Sequence, residues 1–180
     1  ILDPVAVGAI GYRTGVAREL VSRHPAVIRG NASEILALAG EKGGGKGVDS
    51  GLGAEAALEA AHRLAVRAGT TVAVTGATDF ITDGQRVVAV RNGDAMMTKV
   101  TGLGCTATAI IGACLAVEAD ALISAAHGLV LIGVAGEIAA SRARGPGSLQ
   151  MELIDALYSL DEATLTTRAR LEVVRRDTPV

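Results

Sequence analysis

Val100-Thr101-Gly102-Leu103-Gly104-Cys105, followed by the apolar run Ala107 to Val117, is the stretch on which the reading of this chain turns. Two glycines one residue apart allow a tight backbone turn, and the run behind them has the composition of a buried helix. The glycines therefore fall at a helix N-terminus. Unpaired N–H groups and the positive end of the helix dipole face outward there, which suits a phosphate or a developing negative charge. The same field stabilises a thiolate, so Cys105 is the first functional suspect.

Upstream of this turn, strand and helix signals alternate. Ile1 to Val7 is apolar and β-branched around Asp3-Pro4, and Pro4 cannot donate to a ladder, so a strand ends near Asp3. Thr14 to His24 has helical spacing up to Pro25, and Ala26 to Arg29 is a short apolar strand. Asn31 is an N-cap with Glu34 three residues on, the spacing of a capping box, and Gly40 closes that helix. After a glycine-rich loop, Ala54 to Ala68 reads as a helix capped by Gly69, and Thr71 to Thr75 as a β-branched strand. Phe80 to Thr82 and Arg86 to Arg91 flank Asp83-Gly84, a hairpin signal.

Downstream, helices dominate. Cys105 to Val117 and Ala121 to Ala143 precede the breaker Gly145-Pro146-Gly147, after which Ser148 is expected to cap a helix to Leu160 and Asp161 another to Val174. The alternation predicts an α/β fold with a mainly parallel central sheet between helices. Residues 1–180 are expected to form a single domain, since no repeat or low-complexity linker interrupts them.

Composition excludes several classes. Hydrophobic residues make up 49% and charged residues 20% of 180, with a net charge of −2, which argues against a broad electrostatic grip on nucleic acid. The basic region Arg168 to Arg176 has interspersed acids and is expected to be a solvated helix face. Cys105 and Cys114 share one predicted helix, about 13 Å apart at 1.5 Å rise per residue, too far for a disulfide. Free thiols suit a reducing compartment, and the apolar stretches Ala107 to Val117 and Leu129 to Ala140 fall short of a membrane span. The expectation is a cytoplasmic protein without a membrane or nucleic-acid partner. The chain opens without Met on what reads as a buried strand, which suggests an upstream segment.

Two familiar motifs fail on context. Gly40 to Lys46 fits G-x-x-x-x-G-K, but Gly47 stands where a P-loop needs Ser or Thr, and the stretch follows a helix rather than a strand. Gly102, Gly104 and Ala107 fit the dinucleotide fingerprint, but no second strand ending in an acid follows. The better constellation joins element ends. Asp3 and Glu34 are carboxylates suited to Mg²⁺, held directly or through water; Arg29 suits a phosphate; Gly102, Leu103, Gly104 and Cys105 form an anion hole for a transferred group. Glu34 also has a plain role as a capping residue. His24, His62 and His127 lack partners at zinc-ligand spacing.

Several blocks together carry a resemblance. LDPVAVG at Leu2 to Gly8, IRGNASEI at Ile28 to Ile35, GKGVDS at Gly45 to Ser50, AVTGATDFITDG at Ala73 to Gly84, KVTGLGC at Lys99 to Cys105 and GPGSLQ at Gly145 to Gln150 resemble hydroxyethylthiazole kinase, in order and over nearly the whole chain. The resemblance implies a three-layer α/β/α ribokinase-like fold and a role in thiamine salvage. It also implies transfer of the ATP γ-phosphate, with Mg²⁺, to the primary alcohol of 4-methyl-5-(2-hydroxyethyl)thiazole. Carried over, Asn31 and Glu34 match the N-x-x-E element that organises Mg²⁺ and phosphates, and Asp3 an acidic metal-site position. Arg29 and Thr75 match ATP contacts, Gly102 a thiazole contact, and Cys105 the catalytic base.

The family motif usually reads T-G-T-G-C, so Leu103 is a departure that leaves only its backbone N–H for the anion hole. By the resemblance, the family also carries an N-terminal segment that supplies early strands and part of the thiazole pocket, and those strands are expected to be missing from this chain. Other readings stay open: a non-catalytic remnant with a nucleotide-binding scaffold, or a kinase for another small alcohol such as a hydroxymethylpyrimidine. By the resemblance, a homotrimer is expected.

Overall fold

The strand Val27–Asn31 (β1) buries Val27 and Ile28 completely on opposite faces of the sheet, as alternation along a strand requires. The structure is a computed structural model, and it describes residues 1–40 and 54–174. The block GKGVDS and most of the Gly40 to Gly53 loop lie outside the described residues. β1 is followed by the helix Ala32–Ala39, preceded by the helix Gly11–Val21, and paired with the strand Thr71–Thr75 (β2). These two helices are α1 (Gly11–Val21) and α2 (Ala32–Ala39), and Ala54–Ala68 is α3.

Asp79–Thr82 (β3) and Val87–Val90 (β4) form the expected hairpin, with a four-residue loop, Asp83 to Arg86, in place of a two-residue turn. The Asp83 carboxylate accepts from the Gln85 and Arg86 amides at 2.8 and 2.7 Å, which closes that loop. Leu103–Leu115 (α4) starts two residues earlier than expected, and Ala121–Arg142 (α5) matches its prediction closely. Pro146–Ser159 (α6), Glu162–Arg168 (α7) and the strand Leu171–Val174 (β5) complete the described residues.

The sheet order is β1-β2-β3-β4-β5, with Leu2 bridging in parallel to Ile28 on the outer edge of β1. Among the described residues only Leu2, β1 and β2 run parallel; β2–β3, β3–β4 and β4–β5 are antiparallel. The expected α/β architecture holds, but the mainly parallel sheet becomes a mixed one. The reason is local: tight connections at Gly76 to Thr78 and Asp83 to Arg86 reverse the chain, where a parallel neighbour needs a long crossover.

One face of the sheet, through Ile28, Val72, Val74, Phe80, Val87 and Ala89, packs on α1, α2 and α3. The other, through Val27, Ala73, Ile81, Val88 and Val90, packs on α4 and α5. Three layers result, and α6 adds a further contact outside α5 through Leu149, Leu153 and Ala156. At 22 residues α5 is long and apolar enough to cross a bilayer, but most of it is buried beneath the sheet as a core helix.

Two expectations near the C-terminus change. Ser148 does not cap α6; Gly145 takes that place, Pro146 occupies the first turn, and the Ser148 hydroxyl instead accepts from the Arg144 amide at 2.9 Å. The helix expected from Asp161 to Val174 stops at Arg168, and Leu171–Val174 pairs with β4 as an edge strand. Its side chains are largely exposed, so the hydrophobic pattern that would announce a strand is weak.

Candidate functional site

The ligand-competent end of an α/β sheet is the carboxyl end of its parallel strands, and there the charged residues of this chain gather. Arg29 and Asn31 lie at the end of β1, and Thr75 at the end of β2, paired in register with Asn31. Arg29 shares a face with Val27, the face covered by α4 and α5, so its guanidinium reaches toward the first turn of α4.

Three residues meet at that guanidinium. Arg29 Nη2 donates to Thr75 Oγ1 at 2.8 Å, and Nη1 lies 3.8 Å from Asp3 Oδ2. A Cβ at position 104 would stand 2.6 Å from Nη1, so the absence of a side chain at Gly104 is what lets the guanidinium lie against the α4 backbone. Arg29 Nε is buried and has no hydrogen-bond partner. A buried donor left unpaired costs about 1–3 kcal/mol, a cost that a stability-driven arrangement avoids.

Gly102 caps α4 in the left-handed region at φ 91°, a conformation that glycine adopts without strain. Leu103, Gly104 and Cys105 therefore fill the first turn, where backbone N–H groups have no intrahelical partner. Cys105 is exposed and Cys114, further along the same helix, is half-buried, with burial pushing its thiol up. The helix start expected behind the glycine pair is present, shifted to Leu103.

Asn31 and Glu34 form the predicted capping box: Asn31 Oδ1 accepts from the Glu34 amide at 2.9 Å, and Glu34 Oε2 accepts from the Asn31 amide at 2.9 Å. Glu34 has a second structural duty that the sequence does not announce. Its Oε1 accepts from the Ala6 amide at 3.0 Å, and Ala6 has φ 63°, a conformation costing an alanine about 1–2 kcal/mol. Glu34 thereby fixes the turn that follows Asp3.

Asp3 is anchored from another side. Thr108 Oγ1, on α4, donates to Asp3 Oδ2 at 2.8 Å. Asp79 belongs to the same neighbourhood: it accepts from the Gly76 amide at 2.9 Å and feels the charge of Arg29, yet burial dominates and pushes its carboxyl up to about 6. Neither Thr108 nor Asp79 was singled out in the sequence. Thr108 is four residues beyond Gly104, on the face of the glycine, and Asp79 ends the short turn after Thr75; those spacings are the signals that were available.

Asp3 and Glu34 offer hard oxygen donors, which suit Mg²⁺ rather than a softer metal. Both Glu34 oxygens already accept backbone hydrogen bonds, and among the described residues no three His, Cys, Asp or Glu side chains cluster as a metal cage. The donor set therefore fits a Mg²⁺ that keeps waters and phosphate oxygens and takes one carboxylate directly, with Asp3 the better placed of the two.

Residues 1–163 match the hydroxyethylthiazole kinase family. The chain belongs to that family. It is 62% identical over 170 residues to the hydroxyethylthiazole kinase of Granulibacter bethesdensis, covering 94% of this chain and 62% of the relative. It is 50% identical over 178 residues to that of Zea mays, covering 96% and 64%. Among solved structures, the hydroxyethylthiazole kinase protein of Pyrococcus horikoshii superposes with a TM-score of 0.87 at 41% identity, over 97% of this chain and 65% of that one. The fold is thus the ribokinase-like one expected from the motifs. The chain spans 62% to 65% of the length of these relatives.

Proposed function

We propose that this domain carries the phosphotransfer centre of a hydroxyethylthiazole kinase and phosphorylates the primary hydroxyl of 4-methyl-5-(2-hydroxyethyl)thiazole from ATP. The observation that carries the reading is the guanidinium of Arg29, which joins Asp3, Thr75 and the glycine turn of α4 into one cluster at the ends of the parallel strands. Relatives named hydroxyethylthiazole kinase support the same reading.

In this mechanism Arg29, Asn31 and Thr75 hold the ATP phosphates, while Gly102 contacts the thiazole. The N–H groups of Gly102, Leu103, Gly104 and Cys105 face the γ-phosphoryl oxygens, where donors aimed at developing charge contribute most. Leu103 serves through its backbone alone. Cys105 Sγ accepts the hydroxyl proton as the alcohol oxygen bonds to the γ-phosphorus and the bond to the ADP oxygen breaks. Asp3, with Glu34 behind it, would hold Mg²⁺, which neutralises phosphate charge when bound. Because the transition state is loose, positioning supplies most of the rate and the base comparatively little.

The direct test is ADP release by the 180-residue chain with the thiazole, with a hydroxymethylpyrimidine, and with no acceptor. Thiazole-dependent release supports the proposal; pyrimidine-dependent release assigns a different alcohol. Nucleotide binding without turnover identifies a non-catalytic scaffold. Cys105→Ser should lower turnover about 100-fold, the low end for a general base, while leaving ATP affinity nearly unchanged; full turnover in that variant removes Cys105 as the base. A homotrimer, checked by light scattering, and a cytoplasmic location belong to the same proposal.

A further inference from the structure

Asp3 and Arg29 are opposite charges that do not close on each other. Their nearest atoms are 3.8 Å apart, beyond hydrogen-bond reach, although both side chains are about 85% shielded from solvent. Two hydroxyls hold them open. Thr75 Oγ1 takes Arg29 Nη2 at 2.8 Å, and Thr108 Oγ1 gives its hydrogen to Asp3 Oδ2 at 2.8 Å. Each charge keeps unused capacity as a result: Arg29 Nε is a buried donor without a partner, and Asp3 Oδ1 accepts no hydrogen bond among the described residues.

The orientation of Thr108 is itself determined. A helical threonine divides between two rotamers, one of which turns the hydroxyl back to the carbonyl four residues earlier. Thr108 adopts that one, with Oγ1 at 3.2 Å from the Gly104 oxygen. The hydroxyl has a single hydrogen, and the charged carboxylate at the shorter distance takes it. Thr108 Oγ1 thus lies over the carbonyl of the same glycine that makes room for Arg29, while its hydrogen bond to Asp3 holds the rotamer.

We infer that Thr108 is a positioning residue of this centre: it holds the Asp3 carboxylate to the first turns of α4, apart from Arg29, with Oδ1 turned out for a ligand. The inference rests on the phosphotransfer reading for its catalytic consequence, but not for its geometry. Without the Thr108 hydroxyl, Asp3 loses its only neutral donor among the described residues and closes on the Arg29 guanidinium. Both charges would then satisfy each other instead of an incoming cation and phosphate.

Thr108→Val and Thr108→Ser separate the hydroxyl from the shape of the side chain, and Thr108→Ala replaces the valine variant if that one fails to fold. Thr108→Val should lower kcat about tenfold or more, with the KM for ATP within about twofold, and Thr108→Ser should restore most of it. Equal losses in both variants, or an unchanged kcat in Thr108→Val, overturn the inference. Crystal structures supply a readout independent of activity: in Thr108→Val the carboxylate should close on Arg29 to within hydrogen-bond distance. In Thr108→Ser it should stay open. A carboxylate unmoved in Thr108→Val also overturns the inference. If the wild-type chain releases no ADP with any acceptor, the phosphotransfer reading fails while the crystallographic comparison still decides the role of Thr108.

Discussion

Two clusters in this molecule use the same chemical parts to opposite ends. Beyond β4, Glu137 on α5 accepts through Oε1 from the Asn92 amide group at 3.0 Å, from the Gly93 amide at 2.9 Å and from Arg170. Asn92 is buried and completes the cluster by accepting from the Arg170 amide at 2.7 Å and donating to the Arg168 carbonyl at 2.9 Å. At the β1–β2 end, Asp3 and Arg29 stand apart, one with an oxygen that accepts nothing among the described residues and the other with an orphaned N–H. The saturated cluster fastens α7 and β5 to α5. The unsaturated one keeps hydrogen-bonding capacity in reserve, as a site that receives charged ligands requires.

The largest effect should come from breaking the open cluster. Arg29→Ala removes a phosphate donor and should lower kcat/KM for ATP between about 100- and 1,000-fold. Chemical denaturation should find stability within about 1 kcal/mol of wild type, because the variant also removes an unpaired buried donor. A large loss of stability would mean that Arg29 is structural after all.

The reverse pattern should follow Glu137→Ala. Leaving the Asn92 and Gly93 donors without their acceptor should cost about 2–3 kcal/mol in urea unfolding, with turnover per folded molecule within about twofold. A loss of turnover without a loss of stability would erase the distinction between the clusters.

Asp79 sharpens the comparison with the smallest effect. Its carboxyl is raised from 3.8 to about 6 in the folded state, so the folded chain binds the proton more tightly than the unfolded one. The sign follows from linkage: that contribution is fully present below about pH 4 and is lost as pH rises through about 6. Asp79→Asn keeps an acceptor for the Gly76 amide, and should flatten this slope and stabilise the chain at pH 8 by up to about 2 kcal/mol. An unchanged pH profile of unfolding would show that Asp79 does not titrate in this range.

The fold was readable wherever a local rule decides the outcome. The Asn31–Glu34 capping box, the Gly40 stop and the α3 boundaries depend on neighbours in sequence, and they appear as expected. β5 depends on a partner far away in the chain: Leu171 to Val174 become a strand because β4 offers an edge. The sheet's mixed direction was missed for a related reason, since a hairpin next to a parallel pair leaves no mark on either strand's composition. In the site, Asp3, Arg29 and Glu34 were legible as charged residues at element ends, and Thr75 only through the family blocks. Thr108 and Asp79 were not, because their significance arises only where α4 brings Thr108 to Asp3 and the start of β3 brings Asp79 under the charge of Arg29.

The weakly buried strand β5 also has a kinetic meaning. Its pairing with β4 joins Val90 to Leu171 across roughly 80 residues, a closure whose chain-entropy cost is about 4 kcal/mol for a flexible loop. Its own exposed side chains return little of that. Assembly of α4, α5 and α6 must shorten the span first, so β5 docks late in folding and is among the first elements to release. Its amides should exchange with solvent before those of β2, and its departure uncovers the edge of β4, the place where partly unfolded copies of this chain would meet.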